Sequence, residues 1–276
     1  MPRFTFILKR GWFRSSAAVC FSILLPTLPW TSPDVAAPIS VRFIEGAVHG
    51  FLVIRTISGK IIASGDLRQT VTAKGVNSRT VFHFKDGSMS EEAVVFTQSR
   101  VFSMQTYQMM QRGPAFAADT EISLDRNPGQ YRVKTKAHDD NKEKVLTGPL
   151  NLPGDIYNGM VFTVAKNLPG SVRQRVHIVA FTPEPRLIEL EIIPAGKQNV
   201  AVAGFGKTAI HYVLHPQLGT WLKLFTKLTG HTPEDNHVWI LADPVPAFVK
   251  FEGPLYMSGP VWRIELASPH GTDVKP

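Results

Sequence analysis

A chain of 276 residues with 43% hydrophobic and 19% charged residues has the apolar matter for a sizeable core, which excludes wholesale disorder. Its 21 glycines and 21 prolines point to many turns and few long helices. The net charge is +8, but the basic residues are spread along the chain, which argues for solubility and against a nucleic-acid partner.

In chain order the first element is a leader. Arg3, Lys9, Arg10 and Arg14 against the single acid Asp34 place +3 of the +8 in residues 1–37. The stretch SSAAVCFSILLPTLPW, residues 15–30, follows; it is mostly apolar, short and broken by proline. Basic, then apolar, then small and polar is the order of a secretory signal peptide. We therefore expect a signal peptide over residues 1–37 and one exported, periplasmic domain over 38–276, with an uncleaved N-terminal anchor as the competing reading. Val35-Ala36-Ala37 has the form of a cleavage site, although Pro38 behind it disfavours cutting there, and a cut nearer Ser32 is the alternative. Cys20, the only cysteine, is preceded by bulky Val19 and lies inside the apolar run, which argues against lipid attachment. Removing the leader leaves a chain without cysteine, excluding disulfides, thiol catalysis and thiolate metal sites.

From Val41 onward the pattern repeats mostly every second residue. Residues 48–57 read as a strand, Ser58-Gly59 as a turn, and residues 60–73 as one or two strands. In residues 78–84, Thr80, Phe82 and Phe84 share one face and His83 takes the other. Lys85-Asp86-Gly87-Ser88 has hairpin composition. Residues 93–109 read as one long strand bending near Gln98 to Arg100, and Asn127-Pro128-Gly129 as a hairpin between two further strands. A polar turn at 138–141 leads to another short strand. Leu152, Ile156, Met160, Val164 and Leu168 recur every four residues, predicting a helix over 155–167 that Pro169-Gly170 closes. Gly159 inside it makes that helix dependent on docking to the sheet.

The next two segments, 171–182 and 186–196, predict an antiparallel hairpin with Arg175 near Glu191 and His177 near Glu189. The stretch AVAGFGKT, residues 201–208, satisfies the loose phosphate-loop pattern. A phosphate loop must open a helix, and AIHYVLHP behind it reads as a strand. We expect a glycine-containing hairpin turn there and no nucleotide. Residues 218–230 read as a short second helix or an apolar flap, and the last three segments as a meander. In the final strand Trp262, Ile264 and Leu266 face the core while Arg263 and Glu265 face out. The expected fold is mainly β: a large curved antiparallel sheet, an open or nearly closed barrel, with one or two short helices on its concave face.

Candidate chemistry is thin. His211 and His215 share a face but lack a third ligand nearby, and His231 and His237 with Glu234 and Asp235 read as a solvated loop. Ser64 and Ser258 read as turn serines, and Glu91-Glu92, Asp139-Asp140 and Glu234-Asp235 as water-facing pairs in polar turns. No catalytic residue, metal site or cofactor is expected, and the chain is not expected to be an enzyme.

Residues 237–266, with VRFIEGAVHGFLVIRT and LPGDIYNGM, resemble a set of uncharacterised exported bacterial β-rich proteins. The layout is also similar to the half-barrels of lipoprotein carriers and mycobacterial lipid carriers, whose hollow face holds acyl chains. That likeness implies a carrier of lipid or another apolar ligand. Phe82, Phe84, Phe96, Phe102, Met160 and Trp262 are the candidate lining. The alternative is a structural or assembly protein of the cell envelope, working through its sheet edges or an envelope protein partner.

Overall fold

The computed structural model describes residues 36–276 except 141, 183, 203, 220–225, 227–233, 243 and 268–276. The leader assigned to residues 1–37 lies outside them up to Val35, as do His231 and most of the 218–230 segment. Asp34–Pro276 forms one compact unit.

Its strands are β1 (Val48–Thr56), β2 (Ile61–Thr72), β3 (Gly75–Phe84), β4 (Met89–Gln98), β5 (Phe102–Arg112), β6 (Ala118–Asp125), β7 (Gln130–Ala137) and β8 (Glu143–Pro149). Helix α1 (Val161–Asn167) follows, then β9 (Gln174–Thr182), β10 (Glu184–Val202), β11 (Phe205–Gln217), β12 (Asn236–Leu241), β13 (Phe248–Gly253) and β14 (Trp262–Leu266). All 14 strands belong to one sheet in the order β8-β7-β6-β5-β4-β3-β2-β1-β14-β13-β12-β11-β10-β9. The chain walks outward from β1 to β8, crosses on the α1 connector to the far edge, and walks back until β14 pairs with β1, Ile54 opposite Ile264. Every pair is antiparallel and the sheet does not close; β8 and β9 are its edges.

Alternation makes this sheet two-faced. One face carries Ile54, Phe82, Phe96, Met104, Leu124, Ile192, Tyr212 and Ile264 into a single apolar core. The other carries cross-strand ion pairs such as Arg79–Glu91, Lys134–Glu143 and Arg263–Glu252. Each such exposed pair adds little stability, but together they hold register and keep this face polar. Register shifts at Ile54/Arg55, Val95/Phe96, Pro194/Lys197 and Trp239/Ile240 let the sheet bend around its core. At Val95/Phe96 the shift re-phases β5, so that Met104 and Tyr107 both point inward.

The α1 connector packs on the inner face. Met160, Val164, Ala165 and Leu168 are buried in the core, and the Phe162 ring stacks on Phe248 with centroids 4.7 Å apart. Ahead of α1, residues 155–157 add to the edge of β9: the His177 N–H donates to the Asp155 carbonyl, and the Tyr157 N–H to the His177 carbonyl. Ile39 is tied in as well, its N–H donating to the buried Tyr157 hydroxyl at 2.8 Å.

Several sequence expectations change. Residues 93–109 are not one bent strand; the bend at Ser99 to Val101 is a full reversal between β4 and β5. The predicted helix over 155–167 is α1 alone. Gly159 sits at φ +68°, off the helical region, and Asp155 to Tyr157 are committed to β9. Ser64 lies within β2 and Glu91-Glu92 within β4, not in turns. The Arg175–Glu191 and His177–Glu189 pairings hold in register, as does the final meander. AVAGFGKT is the tip of the β10–β11 hairpin, with Gly204 at φ +81° in the turn and Lys207-Thr208 in strand, so no helix opens there.

Candidate furrow on the concave face

Strand register aligns one inward-facing row across the first eight strands: Gly50, Leu67, Thr80, Glu92, Met109, Ile122, Val133 and Leu146. Leu67, Thr80, Glu92 and Met109 in the middle of this row are only half-buried. On one side lies a row with Gln69, Val94, Tyr107 and Leu124 buried and Ser78 half-buried; on the other lies one with Leu52, Phe82, Ser90 and Gln111 buried and Gly65 half-buried. The middle row, less buried than the rows beside it although Leu67 and Met109 still pack against the core, forms a shallow furrow.

Two covers explain the sealing. Over Tyr107 and Val94 sits Gly159 of the α1 connector; a Cβ there would lie 3.1–3.2 Å from the Tyr107 ring and the Val94 side chain. The same connector is held by Arg126, whose guanidinium donates to the Leu152 and Pro153 carbonyls at 2.9 and 3.0 Å. On the other side the β13–β14 loop closes down, its Leu255 carbonyl accepting from Gln111 Nε2 at 2.9 Å. The Phe116, Tyr256, Trp262 and Phe84 rings meet beneath it at 5.3–6.4 Å.

Glu92 is the one carboxyl in the row. Tyr107 donates its hydroxyl to Oε1 at 3.0 Å, and the second carboxylate oxygen takes no hydrogen bond among the described residues. No lysine, arginine or histidine among them pairs with it either. The side chain is half-buried, with part of its surface open to the concave face. Burial raises the Glu92 pKa above the ordinary carboxylate value, with the Tyr107 hydrogen bond opposing. The Tyr107 phenol is pushed well above its usual value by its own burial and by Glu92. Chemically the furrow offers an apolar bed with one hydrogen-bonding and proton-accepting group at its centre.

The six residues named from sequence are all at most 7% exposed and belong to the core around the furrow. Phe82 flanks it, its ring filling the space over Gly65, where a Cβ would stand 2.4 Å from the ring. Phe84 and Trp262 sit under the β13–β14 loop, Phe96 packs edge-on against Phe102, and Met160 precedes α1. Sequence reasoning missed Glu92. The signal was present: Ser90, Glu92, Val94 and Phe96 share one strand face, so an acid falls in phase with core residues.

The outer face carries two further features. An open groove of about 400 Å³ crosses the outer face over β4–β7, but its Glu91 and Lys134 walls are paired with Arg79 and Glu143. On the outer face of β11–β13, His211 Nε2 lies 3.0 Å from His237 Nδ1, and the His211 ring stacks on Trp239, which carries Lys250 3.7 Å from its centroid on the ring face. Burial, then the neighbouring His237 and Lys250, lower the His211 pKa. His215 instead pairs with Asp235, so the shared face of His211 and His215 does not become one site. Among the described residues no group of three or more His, Cys, Asp or Glu side chains is arranged to hold a metal ion, and no helix is long and apolar enough to cross a membrane.

The fold and furrow together define an open antiparallel half-barrel with a helix-bearing connector on its concave face. Comparison of the chain with protein families, curated proteins and solved structures returned no match.

Proposed function

We propose that the protein is an exported, periplasmic binding or carrier protein for a lipid or other apolar ligand, and acts without catalysing a reaction. The observation that carries this reading is the half-buried row Leu67, Thr80, Glu92 and Met109 between two sealed rows of the concave face. The sealed rows stand four residues apart, about 13 Å at strand rise, which accommodates one alkyl chain between side chains. Export rests on the leader's basic-then-apolar order. Native mass spectrometry of the protein purified gently from its own envelope fraction tests the reading. Co-purifying mass released on denaturation as lipid is the expected result. A bare protein mass that takes up nothing from added lipid extract refutes it.

A second reading, a structural or assembly protein of the envelope, is favoured by β8. That edge strand is exposed on nearly every residue, with Val145 and Leu146 open to solvent, and β9 at the opposite edge is partly covered by residues 155–157. An uncovered edge accepts a strand from a partner. A stable envelope-protein complex lost on Val145→Lys, with no lipid in either form, would favour it.

A further inference from the structure

The Glu92–Tyr107 pair gives the furrow a chemistry that an apolar bed alone lacks. A half-buried carboxyl with no cation beside it is partly desolvated without a compensating charge, which costs stability. On its strand face Glu92 stands between buried Ser90 and buried Val94, with Phe96 beyond, and neither neighbour supplies it a charge. Tyr107 contributes one hydrogen bond, which aims the carboxylate without neutralising it. The other oxygen takes no hydrogen bond from the described residues and is not sealed from solvent, beside the half-buried Thr80 and Met109. What that oxygen lacks is a positively charged donor, and the occupant of the furrow is the group in a position to supply it.

We infer that the furrow takes a cationic amphiphile, a molecule with one apolar chain and a protonated amine, and that the amine is held on the Glu92 carboxylate while the chain lies along the Leu67–Met109 row. The inference rests on the apolar-ligand reading and names the ligand class for the same site. Tyr107 is a positioning residue: it orients the carboxylate and does not itself meet the amine.

Calorimetric titration of the purified full-length chain with decylamine, 1-decanol and decanoate, each below its micellar range, tests it. The wild type is expected to bind decylamine at least about tenfold more tightly than decanoate, as a charge-assisted hydrogen bond in a water-poor site supplies. Glu92→Gln is expected to erase that preference and change decanol affinity less than about twofold, since only the charge is removed. Tyr107→Phe keeps the carboxylate and is expected to keep the preference. Should Glu92→Gln fail to fold, Glu92→Asp retracts the carboxylate by one methylene, and the amine preference should weaken. Equal or tighter decanoate binding by the wild type, or an amine preference surviving in Glu92→Gln, overturns the amine assignment while leaving an apolar site standing. Failure of all three chains to bind overturns the apolar-ligand reading as well.

Discussion

Gly159→Ala is the sharpest probe of how the connector seals the furrow. The residue sits at φ +68°, and a Cβ built on it would lie 3.1 and 3.2 Å from Tyr107 ring carbons and 3.2 Å from Val94 Cβ. Holding a residue with a Cβ in the left-handed region costs about 1–2 kcal/mol. Contacts this tight, against side chains that are themselves buried, add about 1–3 kcal/mol of overpacking. Loss of unfolded-state freedom offsets about 0.4–1 kcal/mol. The net destabilisation is about 2–4 kcal/mol, which for a domain of this size lowers the melting temperature by about 5–15 °C and the urea midpoint by about 1 M. Gly196→Ala is the control: it too has positive φ, +96°, but nothing lies within 4 Å of its Cβ position. Equilibrium urea denaturation of both variants reads the difference. If the two lose the same stability, Gly159 is not pressed against Tyr107 and Val94, and the sealing described for that side of the furrow is wrong.

Three further outcomes follow from the same contacts. Burial raises the folded-state pKa of Glu92 above its unfolded value near 4.5, so its contribution to stability is fully present below that value and is lost as pH rises through the folded pKa. Glu92→Gln should therefore raise the urea midpoint relative to wild type at pH 7.5 and gain less at pH 4; an equal gain at both would refute the burial argument. Tyr157→Phe strands the Ile39 N–H and one acceptor contact of the Phe102 carbonyl, both buried, and should cost about 1–3 kcal/mol in urea denaturation. Lys166→Met leaves the buried Glu45 carboxylate with Gln69 as its remaining side-chain partner, and should cost about 3–5 kcal/mol. Adding Glu45→Gln should recover much of that loss, and a double variant no more stable than the single would show that the pair is not coupled.

Much of the sheet is legible in the sequence because its faces differ chemically. Alternation in 78–84 places Phe82 and Phe84 inward and His83 outward, and charge matching fixes the β9–β10 register at Arg175–Glu191. Where reading failed, a non-local contact decided. The four-residue spacing of Leu152, Ile156, Met160 and Val164 is helical, yet Ile156 and Tyr157 belong to an edge pairing with His177 that no local pattern announces. Residues 93–109 carry no glycine or proline at their reversal, so Ser99 to Val101 looked like a bend. The furrow was the least legible feature. Its aromatics were visible as core, but the row between them is defined by the register of eight strands and by which rows the connector and the β13–β14 loop cover.

That coverage is a consequence of topology. Because β1 and β14 pair at the middle and both meanders reach their outer edges at β8 and β9, the chain between those edges has to cross the sheet once. The crossing segment, residues 150–173, is buried in the core on the inner face at Ile156, Tyr157, Met160 and Val164, and seals the Tyr107 side of the row. The β13–β14 loop seals the Gln111 side from the other direction. The row at Leu67, Thr80, Glu92 and Met109 stays half-buried, and larger apolar side chains at positions 80 and 92 would gain buried area. A small threonine and a lone carboxyl stand there instead. The half-buried stretch is centred on the only acid in that row. Stability given up around one group of defined chemistry is what the proposed ligand site would require.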